Sequence, residues 1–171
     1  MSVLFEDVSR RLDSFSEVVG KTAAWLTLGM VVITVVIVVL RYLFDSGFIW
    51  LQETLMWMHA CVFMLGAAYT LQQDEHVRVD VFYSGMSEQR RALVNALGVL
   101  IFVFPLCGYL FYEALDYVAR AWEIREVSRE TGGLPYPAMP LLKSILLLMP
   151  LTLGLQGLSI LLRAISALRR S

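Results

Sequence analysis

Charged residues are missing from four long stretches of this chain, and cysteine and histidine are scarce throughout it. The two cysteines, Cys61 and Cys107, both fall inside apolar runs. There they read as small buried hydrophobes, not as a disulfide or metal pair. The only histidines are His59 and His76, so no metal site is expected. Net charge is −1, which gives no reason to expect nucleic acid as a partner. Phosphate-binding loops, repeats and low-complexity segments are all missing. The first apolar run lacks a small-residue cleavage pattern, which argues against a cleaved signal peptide. No catalytic constellation remains, so the chain is not read as an enzyme, and no cofactor is called for.

What the chain has is apolar length. Hydrophobic residues make up 58% of it, against roughly 45–50% in soluble domains. Mean hydropathy is +0.66. The stretch Trp50 to Val81 organises the rest: WLQE, a charge-free run over 54–71, then QQDEHVRVDV. Eighteen residues of helix rise roughly 27 Å, close to the hydrocarbon thickness of a bilayer. Similar runs at 23–40, 92–112 and 144–162 give an all-α integral membrane protein with four spans.

An N-terminal lead over 1–22 places Leu4, Val8, Leu12, Phe15 and Val19 at helical spacing. It is expected to lie in the membrane interface, or else to pack on a partner. The helical pattern continues past the third span through Trp122 and ends at Gly132-Gly133 and the prolines beyond. Pro105 predicts a kink in that span. The expected organisation is the lead (1–22), a membrane domain (23–162) and a basic tail (163–171). Nine basic residues fall in the lead, the middle loop and the tail, against five on the other side. Both termini are therefore expected in the cytoplasm.

Few side chains could carry chemistry. His59 is the ionisable group nearest the middle of a span, and is read as structural rather than as a proton relay or haem ligand. Glu53 stands at the lip of its span. It could bind a cation, but a pair with Arg41 across the short turn is preferred. Trp50 and Trp57 read as interfacial aromatics. His76, Arg78 and Asp80 alternate with valines and can satisfy one another at the membrane edge. No pair of Gly/Pro-broken helices marks a transport site. An accessory membrane subunit is the reading these residues support.

Several motifs together resemble the small membrane subunit of tripartite ATP-independent periplasmic (TRAP) transporters, the DctQ type. They are Arg41-Tyr42-Leu43-Phe44 closing the first span, Trp50 and Glu53 opening the second, and Gly66-Ala67 within it. His76-Val77-Arg78-Val79-Asp80 follows, and Trp122 precedes Glu126-Val127-Ser128. Lys143 and Gly132-Gly133 depart from that pattern. The resemblance implies a scaffold subunit of a sodium-driven importer of organic anions such as carboxylates, in a bacterial inner membrane. Its implied partners are a large membrane subunit, a periplasmic substrate-binding protein and membrane lipids. Arg41, Trp50, Glu53, His76, Arg78, Asp80, Trp122 and Glu126 become candidates for structural or subunit-interface roles. The alternative is a haem-bearing membrane anchor of a respiratory enzyme with His59 as ligand.

Overall fold

The computed structural model describes residues 2–73 and 85–170. Among them the regular elements are all helical. Helix α1 is Ser2–Leu43, α2 is Ile49–Gln72, α3 is Glu88–Glu123 and α4 is Ala138–Arg170. All four are long and apolar enough to cross a membrane. The chain is a multi-pass membrane protein. One end of the bundle carries both termini and the start of α3. The opposite end carries the 44–48 turn and the 124–137 loop.

Helix α4 is the centre of the bundle. Its most apolar stretch is 39% buried, against 6% for α1. It packs on each of the other three helices, α1 also packs on α2, and α3 packs chiefly on α4. Leu71, Cys107 and Leu153 bring α2, α3 and α4 together in one cluster. Ala92 and Ala96 of α3 meet Ala164 of α4 in another, where small side chains let the backbones approach.

Pro105 is accommodated without breaking α3. A π-helical turn, Val99–Val103, precedes it, and the Phe104 N–H bonds to the Val99 carbonyl. Proline supplies no N–H and crowds the carbonyl four residues back, and the wider turn relieves both problems. Gly157 of α4 lies against this turn. A Cβ there would sit 3.2 Å from Val103 Cγ1 and 3.3 Å from Val99 Cγ1.

The lead is not a separate element. It forms the first turns of the 42-residue α1, whose length is roughly 63 Å at 1.5 Å per residue. The face it buries is small and polar: Ser9, Ser16, Gly20 and Ala23, with Asp13 half-buried among them. Phe15 and Val18 point outwards. Asp13 Oδ1 accepts hydrogen bonds from Ser159 Oγ at 2.7 Å and from Gln156 Nε2 at 2.9 Å. Ser9 and Ser159 share a hydroxyl hydrogen bond of 2.8 Å. Arg163 Nη1 stands 3.5 Å from Asp13 Oδ2. Gln156 and Ser159 are fully buried, so this seam is sealed by the helices that form it. Gly20 completes the close approach: a Cβ there would collide with the ring of Tyr69 on α2.

Candidate functional site

Of the groups singled out in the sequence, Glu53, Trp57, Trp122 and Glu126 converge on the 124–137 loop and its flanks, at the end away from the termini. Glu53 lies just past the first turn of α2 and is 9% exposed. Its Oε1 accepts a short hydrogen bond from Ser128 Oγ, and its Oε2 accepts the Leu134 N–H at 2.5 Å. Ser128 Oγ in turn accepts the Glu130 N–H at 3.1 Å. One carboxylate thus closes both halves of the loop. Gly133 is pressed into the same space. A Cβ on it would collide with Ser128 Oγ and stand 2.8 Å from Glu53 Oε1. Gly132 beside it has φ +82°, where glycine carries no steric penalty.

Three further contacts hold this end of the bundle. Trp57 Nε1 donates to the Ala138 carbonyl at 3.1 Å, tying α2 to the start of α4. Trp122 Nε1 donates to Ser144 Oγ at 3.0 Å, and its ring meets Tyr136 edge-on at 6.3 Å. Lys143 Nζ donates to Glu126 Oε2 at 2.5 Å and lies 4.0 Å from the centre of the Tyr117 ring. Both members of this ion pair are 19% exposed, so it is more sheltered than a surface pair.

Where α3 ends, Arg125 takes φ +50° while the Glu126 N–H bonds to the Ala121 carbonyl. That is a helix stop in the left-handed region, a place that favours glycine. Arg125→Gly is expected to raise stability by about 0.5–1 kcal/mol, the left-handed penalty less the entropy of glycine. The denaturation midpoint of the purified chain measures it. A midpoint that stays put or falls would mean that the arginine is not strained there.

The expected Arg41–Glu53 pair does not form. Arg41 is exposed at the end of α1, while α2 turns Glu53 towards the loop and α4. A backbone N–H and a hydroxyl already occupy both carboxylate oxygens. Trp50 stays half-exposed beside Phe48, with ring centres 6.3 Å apart. His59 is exposed on α2 in line with Met56 and Phe63. His76, Arg78 and Asp80 lie outside the described residues. Gly66 has open space around it, while Ala68, two residues on, is buried to 1% exposure.

Sequence reasoning quoted Ser128 within a motif but missed its bond to Glu53, and it missed the Leu134 N–H and Tyr117 altogether. Lys143 and Gly132-Gly133, which looked like departures from the pattern, are parts of the clasp. The glycine pair was the available signal, since two adjacent glycines often mark a forced approach. Among the described residues no group of three His, Cys, Asp or Glu side chains could hold a metal ion. The arrangement can fix a loop on a membrane bundle.

The family described as tripartite ATP-independent periplasmic transporters, DctQ component, matches residues 30–170. The C4-dicarboxylate TRAP transporter small permease protein DctQ of Vibrio cholerae serotype O1 (strain ATCC 39315 / El Tor Inaba N16961) is 29% identical over 139 residues. The aligned stretch covers 79% of this chain and 56% of that protein, so the chain spans little more than half of that relative's length. No solved structure matches.

Proposed function

The chain belongs to the DctQ component family of tripartite ATP-independent periplasmic transporters, and we propose that it is the small scaffold subunit of a sodium-driven importer of organic anions such as carboxylates. The family match over residues 30–170 carries this reading. In it, a larger membrane subunit moves the substrate and a periplasmic protein delivers it. This chain supplies a fixed frame anchored in lipid. A frame needs rigidity more than a binding pocket, and the clasped 124–137 loop and sealed α1–α4 seam fit that need.

Both termini are assigned to the cytoplasm of a bacterial cell with an inner membrane, on the excess of basic residues at that end. The clasp then faces the periplasm. The apolar runs mark the lead as ending at about residue 22 and the basic tail as starting at about 163, within the continuous helices α1 and α4. Arg41, Trp50, Glu53, Trp122 and Glu126 serve structure or subunit contact.

Proteoliposome uptake tests the proposal. Carboxylate uptake is expected only when this chain, the larger subunit and the binding protein are all present with an inward sodium gradient. Robust uptake by this chain alone would end the scaffold reading. Uptake that is unchanged when potassium replaces sodium would remove the sodium coupling.

A further inference from the structure

Helix α3 carries a carboxylate at membrane depth that faces out of its own bundle. Glu113 lines a groove of about 310 Å³ with Met64 of α2, Leu110, Ala114 and Tyr117 of α3, and Leu146 and Met149 of α4; Lys143, over the Tyr117 ring at its outer edge, pairs with Glu126 and not with Glu113. Met64 lies ten residues beyond Thr54, in the charge-free run of α2. Met149 lies six residues beyond Lys143, inside the apolar run of α4. The groove is therefore at span depth, although Glu113 stands just past the apolar run 92–112. Glu113 is exposed and makes no hydrogen bond or ion pair with the described residues.

An ionised side chain at such a depth is costly unless another group pairs with it. Lipid tails can cover Met64, Leu110 and Met149, but they cannot satisfy a carboxylate. The exposed surface around Glu113 is also unlike a lipid-facing one. Tyr109, Tyr112, Asp116 and Arg120 continue a stripe at helical spacing on α3, with the two tyrosines 63% and 73% exposed. Helix α1 shows the contrast. Its outward face of Leu28, Val31, Val32, Val35 and Val39 is aliphatic throughout, which is what acyl chains cover.

The topology explains why the groove is open. Helix α3 packs chiefly on α4, which leaves α2 and α3 as two walls with α4 as the floor. His59 stands on the exposed face of the α2 wall's helix, a second ionisable group that the bundle leaves outside.

We propose that the groove between α2 and α3, floored by α4, seats a transmembrane helix of the larger membrane subunit, which presents a basic side chain to Glu113. This rests on the scaffold reading and adds the face through which the scaffold acts. The α1 face is then left to lipid.

Photo-crosslinking in the co-expressed complex tests the assignment. A benzophenone amino acid is placed at Leu110, at Met64 or at Val32, and the complex is purified by a tag on this chain and irradiated. The groove positions are expected to give an adduct with the larger subunit at least about tenfold above that from Val32. Equal yields, or adducts from Val32 alone, would overturn the groove. Ala114→Trp, which fills the groove, and Glu113→Ala should each lower co-purification of the larger subunit by about tenfold, the effect of a 1.4 kcal/mol loss. Val35→Trp should leave it unchanged. Helix content by circular dichroism checks that each variant folds. If the unaltered chain does not retain the larger subunit, the scaffold reading itself fails. If it does, and the groove variants retain it equally well, only the groove is wrong.

Discussion

Replacing Glu53 with leucine is expected to cost the isolated chain about 2–4 kcal/mol and to open the 124–137 loop to protease. The magnitude follows from what is left behind. Ser128 Oγ–H and the Leu134 N–H both donate to this carboxylate, and Glu53 is 9% exposed. A buried donor that loses its acceptor costs about 1–3 kcal/mol. The serine can rotate towards another acceptor, but the backbone amide is fixed by the turn around Gly133. Glu53→Gln should lie between, since an amide keeps one acceptor oxygen and sets an NH2 against the other donor. An exposed Arg41–Glu53 pair would have contributed only about 0–1 kcal/mol. Two measurements decide: the denaturation midpoint in detergent, and the rate of tryptic cleavage after Arg125 and Arg129, which lie in the loop. If Glu53→Leu unfolds at the same midpoint and is cut no faster, the clasp does not hold the loop.

The error over Glu53 shows what could be read from the sequence and what could not. Four charge-free runs are long enough to announce four spans, and the fold followed from them. Glu53 also stood out, because charged groups at the ends of apolar runs are few, and the family resemblance added Trp122 and Glu126. The pairings did not stand out. Ser128 and Leu134 are 75 and 81 residues from Glu53 along the chain. No periodicity reports a contact of that range, so reasoning from neighbours chose Arg41, twelve residues away. Glu113 shows a related limit. The helical pattern through Trp122 is legible, and α3 does run to Glu123. The pattern does not report that Glu113 shares a groove with Met64 of α2 and Met149 of α4.

The lead helix has a second face that its apolar pattern does not report, and the largest remaining prediction concerns it. Leu12, Phe15 and Val19 suggested an apolar face resting in the interface. The buried face is instead that of Ser9, Asp13 and Ser16, because α4 offers Gln156, Ser159 and Arg163 opposite. Asp13→Leu removes the acceptor for two donors at once and takes the counter-charge from Arg163. Breaking a sheltered charged network by removing one partner costs about 3–5 kcal/mol. Some 20% of the Asp13 side chain remains exposed, which puts the expected loss at the lower end of that range, about 3 kcal/mol. Ser9→Ala removes one neutral hydrogen bond and should cost about 1 kcal/mol. Once the seam is broken, the apolar positions of the lead can bind the membrane surface instead. Hydrogen exchange should therefore rise over residues 5–20 while α2 and α3 keep their protection. Combining Asp13→Leu with Gln156→Leu should cost less than the sum of the two, since the second change removes a polar group that the first has orphaned. Strict additivity, or unchanged exchange in the lead of Asp13→Leu, would show that α1 and α4 are held together by their apolar contacts and that the polar seam is incidental.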